Sequence, residues 1–173
     1  MNPYQDLVSD FHEKTGQVVG TSPKLRDREL RASLIMEEAV ETVAAMGYLA
    51  IADIYTKIDN QDAYRPIGRF EKLYEDPNLV EVIDGLCDLL YVTFGTAVAA
   101  GIDLDRYFQE VHRSNLEKLT GPKRADGKQL KPEGWQPPRI QQLLEQDEQA
   151  NDFWRLIGEQ INNDADRIME VIR

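Results

Sequence analysis

The sequence holds a single cysteine, Cys87, and only two histidines, His12 and His112. One cysteine closes no internal disulfide, so a reducing, cytoplasmic setting is expected. A thiol nucleophile wants a histidine partner, and with so few to draw on Cys87 reads as a small core residue. Basic residues are also scarce, with 20 Lys and Arg against 31 Asp and Glu and a net charge of −11. That balance argues against general affinity for nucleic acid, which basic surface drives. Nothing at the N-terminus reads as a signal peptide. There is no internal repeat, no low-complexity tract and no stretch of β-alternation, so an all-α chain is expected. At 173 residues it is one ordinary domain, long enough to bury a core.

What is present is acid in apolar surroundings. Between Ala32 and Ala52 the only charges are Glu37, Glu38 and Glu41; between Leu79 and Ile102 they are Glu81, Asp84 and Asp88. Removing these six leaves 20 basic against 25 acidic residues, so much of the acidity is concentrated in them. Both stretches are long enough to suggest membrane spans, but three central acids in each make that expensive. Carboxylates rarely stay buried unless they are paired or bound to a cation, and neither stretch supplies a Lys, Arg or His. On helices, Glu37, Glu38 and Glu41 form a compact triangle along one side, and Glu81, Asp84 and Asp88 form a stripe at i, i+3, i+7. Facing helices would gather up to six carboxylates around a shared hard cation. All-oxygen ligands select Mg²⁺, Mn²⁺ or Ca²⁺ over zinc or copper. A solvated helix face is the plainer reading, but such a face mixes signs, and these acids are flanked by Leu, Ile, Val, Ala, Met and Gly.

Helices are expected from Asn2 to about Thr15, from near Asp27 past Met46 toward Ile54, after Pro77 to near Gly101 with Asp76 or Asn78 as cap, and from an Asp103 cap to about Leu119. Asp59 to Pro77 reads as a connector or short helix. Gly121 to Pro138, with three glycines and four prolines, is irregular. Two more helices are expected, Ile140 to about Gln149 and Phe153 to Ile172. The second carries an apolar stripe of Trp154, Ile157, Ile161, Ile168 and Ile172.

From His112 to Lys131 the charge balance reverses. Arg113, Lys118, Lys123, Arg124, Lys128 and Lys131 face only Glu117 and Asp126. Asn115 and Lys118 lie i, i+3 near a helix end, and a glycine-punctuated basic loop follows. A phosphate held at a carboxylate-bound metal would need such counter-charges. The alternative is a helix C-terminus with cations for its dipole and an ordinary solvated loop.

Taken together, Glu37-Glu38-x-x-Glu41 followed by Asp88-Leu-Leu-Tyr91 resembles the all-α MazG-like nucleoside triphosphate pyrophosphohydrolase superfamily. The run Glu110-Val-His-Arg-Ser-Asn-Leu-Glu-Lys118, with Gly121 to Lys128 and Leu130 to Trp135, is similar to its MazG-like bacterial dUTPase branch. The resemblance covers roughly Tyr4 to Pro138. It implies a MazG-like domain over residues 1–138 with a C-terminal helical extension, 139–173, on the same domain or interface. It also implies cleavage of a (d)NTP to (d)NMP and pyrophosphate, with dUTP the leading substrate and Mg²⁺ (or Mn²⁺) held by Glu37, Glu38, Glu41, Asp84 and Asp88. The family's ExxD glutamate would fall at Gly85; Asp84 is the preferred substitute, with Glu81 held more loosely. Water would attack the α-phosphorus with Glu38 or Glu41 as base. Asn115, Lys118, Lys123, Arg124 and Lys128 would hold phosphate or sugar, and Tyr91 would line the sugar or base pocket.

A di-iron carboxylate bundle needs Glu-x-x-His pairs, and neither histidine has a Glu three residues before it. A catalytically inactive nucleotide- or metal-binding module of the same fold is the remaining alternative, supported by Gly85. Two long core helices are few for a deep nucleotide pocket. A homodimer or higher homo-oligomer sharing a four-helix core is therefore expected.

Overall fold

The computed structural model describes residues 2–58, 61–73, 76–125 and 127–172. The protein is mostly helical. Helix α1 spans Pro3–Thr15; the Asn2 side chain accepts from the Tyr4 N–H at 2.9 Å, and Gly16 ends the helix at φ 71°. Helix α2 is Arg28–Ala45. Helix α3, Leu79–Ala100, starts from Asn78, whose side chain accepts from the Val80 and Glu81 N–H groups, and ends at left-handed Gly101. Helix α4, Leu104–Glu117, is capped by Asp103 and runs into a 3-10 turn at Lys118–Thr120.

Four sequence expectations are corrected, the first being that Cys87, expected in the core, is exposed. Helix α2 stops at Ala45 instead of continuing toward Ile54. Gly47, at φ 90°, takes the chain out of the helix, a conformation that favours glycine. A two-stranded antiparallel hairpin follows, β1 (Tyr48–Ile58) with β2 (Gln61–Lys72), where a connector was expected. β-Branched and aromatic residues crowd β1. The Leu73 N–H bonds the Gly47 carbonyl at the base of the hairpin, and the Asn78 N–H bonds the Ala45 carbonyl at 3.1 Å. The insertion therefore returns the chain to where it left α2, and α3 starts beside α2's end. The C-terminal segment is also one continuous helix, α5 (Ile140–Ile172), rather than two. Of its expected stripe, the Ile168 and Ile172 side chains lie outside the described residues.

Helices α1, α2 and α3 form the packed centre. Val8 and Ala97 to Ala100 are buried there. Gln5 ties α1 to the α3–α4 turn, donating to the Ile102 carbonyl and accepting from the Leu104 N–H. Much apolar surface stays outside: Leu7, Leu79, Ile83, Leu86 and Leu90 are all exposed. By length and composition α3 alone, among the described residues, is apolar enough to cross a membrane. Its three acids and its packing on α1 and α2 fit a core helix with an uncovered face.

Candidate active site

The α2–α3 crossing builds the site. Thr42 is buried against Gly85, and Arg31 is buried against Gly95. The two helices therefore run antiparallel along one seam. Arg31, Glu38 and Thr42 share a face of α2, while Gly85, Asp88 and Gly95 share a face of α3. Glu38 and Asp88 thus fall at the same level of the seam. Glu38 is half-buried, with its proton affinity raised first by burial and then by the charges of Asp88, Glu41, Glu37 and Asp84. The Thr42 hydroxyl donates back to the Glu38 carbonyl at 2.6 Å, fixing that turn.

At the end of this seam lies a cleft of about 300 Å³ lined by Glu41, Glu81, Asp84, Gly85, Asp88 and Asn78. Among the described residues no basic side chain lines it. The structure thus brings Glu81, Asp84 and Asp88 of α3 to one cleft with Glu41 of α2, while Glu37 and Glu38 do not line it. Among the described residues, no three of these carboxylates converge on a single point as the side chains stand. The donor chemistry is nevertheless all oxygen, the set a hard divalent cation takes.

The basic residues lie elsewhere within this chain. Asn115 accepts from Lys118 Nζ at 2.6 Å at the end of α4. Lys123 bridges to Gln129 and the Arg124 N–H bonds the Lys128 carbonyl, closing a short turn within a stretch, 121–138, that among its described residues otherwise holds no helix or strand. Neither Asn115 nor Lys118, Lys123, Arg124 or Lys128 lines the acidic cleft. Tyr91 meets Phe11 edge-on at 5.7 Å and lines an apolar pocket of about 410 Å³ between α1 and α3, rather than the cleft.

Residues 5–115 match the family model for phosphoribosyl-ATP pyrophosphohydrolase, a span longer than half the chain that contains both acidic helices. The chain belongs to the phosphoribosyl-ATP pyrophosphohydrolase family. Pyrophosphohydrolase chemistry on a nucleotide follows from that membership. No curated protein matches the sequence. The match to phosphoribosyl-ATP pyrophosphohydrolase ends at Asn115, so Lys118 and the basic turn lie beyond it.

Sequence reasoning missed the packing roles of the residues that hold these segments together. Thr42 and Gly85 set the helix approach, and buried Glu110 and Ser114 fasten the segment after α4. A small residue recurring along the α3 seam at Gly85 and Gly95 was the available signal for the first pair. Glu110 stood in the run that carries the resemblance, but its anchoring role was hidden because its far partner, Arg139, is 29 residues away.

Proposed function

We propose that the protein is a Mg²⁺-dependent nucleoside triphosphate pyrophosphohydrolase that converts a (d)NTP to (d)NMP and pyrophosphate, with dUTP as leading substrate. The observation that carries this reading is Glu38 in the helix seam, its charge opposed by Asp88, Glu41, Glu37 and Asp84, with no basic residue among the described residues that line the adjoining cleft. A cluster of that sign is relieved by cations. Glu37, Glu38, Glu41, Asp84 and Asp88 would hold Mg²⁺, or Mn²⁺ in its place, with Glu81 at the cleft edge. A divalent cation there would neutralise phosphate charge and orient the α-phosphate.

The chain's own groups supply the rest. Of the two candidate bases, Glu38 is the one whose proton affinity is raised, first by burial and then by the neighbouring carboxylates, and we assign it the base role. It takes the proton from water as the oxygen bonds the α-phosphorus. The bond from that phosphorus to the bridging oxygen breaks, and pyrophosphate leaves with the electron pair. Asn115, Lys118, Lys123, Arg124 and Lys128 hold the phosphates, and Tyr91, one turn past Asp88, offers an apolar wall for sugar or base. Because this basic set does not line its own chain's acidic cleft, a homodimer in which one subunit's basic face meets its partner's cleft completes the site.

The test is release of pyrophosphate and monophosphate from dUTP, the other dNTPs, the NTPs and phosphoribosyl-ATP, each with Mg²⁺, Mn²⁺ or EDTA. The expected result is metal-dependent release, fastest with dUTP, and abolished in Glu38→Gln. Preference for phosphoribosyl-ATP would replace the dUTP assignment. No release with any metal would leave the inactive binding module.

A further inference from the structure

The segment after α4 is glycine- and proline-rich, yet it is fastened at its far end by one carboxylate. Glu110 is only 8% exposed. Its Oε1 accepts from Arg113 at 2.8 Å, from the Arg139 backbone N–H at 2.9 Å and from Arg139 Nε at 3.1 Å. Its Oε2 accepts from Arg113 Nε at 2.8 Å and from Arg139 at 3.2 Å. Hydrogen bonds from Arg113 first, then Arg139, hold its carboxyl far below the usual range. One turn along, the Ser114 carbonyl accepts from Trp135 Nε1 at 3.0 Å, and its hydroxyl donates to the Gln136 carbonyl at 3.3 Å. Residues 135–139 are thereby clamped onto residues 110–114.

The clamp lies directly beside the basic face. Asn115 follows Ser114, and Lys118 Nζ stands 5.3 Å from the centre of the Trp135 ring. Lys131 Nζ stands over the same ring at 4.0 Å. The turn carrying Lys123, Arg124 and Lys128 is the loop whose two ends are α4 and this clamp. A bend held so fixes the spacing between Asn115 with Lys118 on the helix and the cations on the loop. Glu110 itself, saturated by two guanidiniums and one N–H, has no capacity left for a substrate.

We propose that Glu110 is the positioning residue of the phosphate-binding face: by gripping Arg113 and Arg139 it sets the loop cations at the spacing that a polyphosphate chain requires. This rests on the pyrophosphohydrolase reading above. Preorganised spacing acts on substrate binding, since the loop has no part in the proton transfer assigned to Glu38.

The test compares steady-state kinetics of the full chain, Glu110→Gln and Arg139→Ala on the best substrate of the nucleotide panel, with the Mg²⁺ activation midpoint measured for each. Glu110→Gln keeps the shape but cannot balance two guanidiniums. Arg139→Ala removes an exposed partner and spares the fold if the first variant does not survive. The expected result is a KM raised about tenfold in Glu110→Gln and less in Arg139→Ala, with kcat and the Mg²⁺ midpoint within about twofold of wild type. Unchanged KM in both variants overturns the proposal. So does a parallel fall of kcat and thermal stability with KM unmoved, which marks a merely structural role. A wild type inactive on every nucleotide overturns the activity reading itself, a result distinct from an active wild type whose variants match it.

Discussion

Gly85 stands where the resemblance led us to expect a glutamate, and the seam explains why a side chain is not accommodated there. A Cβ on residue 85 would lie 2.6 Å from Thr42 Oγ1 and 3.2 Å from Thr42 Cα. Thr42 is buried and its hydroxyl is committed to the Glu38 carbonyl, so it cannot step aside cheaply. The glycine therefore reads as the close-approach point that brings Glu38 level with Asp88, and Asp84 and Glu81 line the cleft around it. Gly85→Ala is expected to push α2 and α3 apart and to cost about 1–3 kcal/mol, the usual range for overpacking. Urea unfolding of the metal-free protein checks this. A Gly85→Ala variant as stable as wild type would mean that the seam has slack, and the glycine would again read as a lost ligand.

The elements differ in how far they could be read beforehand, and the differences have physical causes. Asp103 was legible as a cap, and Asn78 as one of two candidates, because each satisfies helix N–H groups through local bonds. The acidic helices were legible because carboxylates in apolar runs demand an explanation. The hairpin was not, since its ladder slips register between Asp53 and Thr56, which breaks the alternation that marks a strand. The attachment of α5 was equally hidden. It depends on side chains 40 or 41 residues apart: Arg106 pairs with Asp147, and the Tyr107 hydroxyl donates to Asp147 Oδ2 at 2.6 Å. Burial first, then that bond, pushes the Tyr107 phenol from 10.0 up to about 12. A folded pKa above the unfolded one means that the bond stabilises fully below about pH 10 and is lost as pH rises toward 12. Wild type is therefore expected to exceed Tyr107→Phe in unfolding free energy by about 0.5–1.5 kcal/mol at neutral pH, a margin that closes between those two values. Paired urea titrations at several pH values measure it; a margin independent of pH would mean that the phenol proton is not the group at work.

At the scale of the whole molecule, the single chain leaves two things unfinished. Among the described residues no cation lines its acidic cleft, and α3 leaves Leu79, Ile83, Leu86 and Leu90 exposed along successive turns. A stripe at i, i+4, i+7, i+11 is one helix face, wide enough to bury against another helix. In the proposed dimer, helices α2 and α3 with their copies would make the four-helix core that the sequence suggested, and the same association would bring a partner's basic face toward the cleft. One substitution tests both gaps together. Leu86→Lys sets a charge in the middle of the stripe, away from the Gly85–Asp88 seam, and burying it unpaired is costly. Sedimentation equilibrium is expected to show a dimer or larger assembly for wild type and a monomer for the variant, with helical content retained by circular dichroism. Loss of pyrophosphate release alongside dissociation would mean that the site needs both subunits. A monomer that keeps full activity would mean that one chain's basic arm reaches its own cleft. A variant that stays assembled would move the interface away from α3, and the exposed Phe153, Trp154 and Ile157 of α5 would be the next face to substitute.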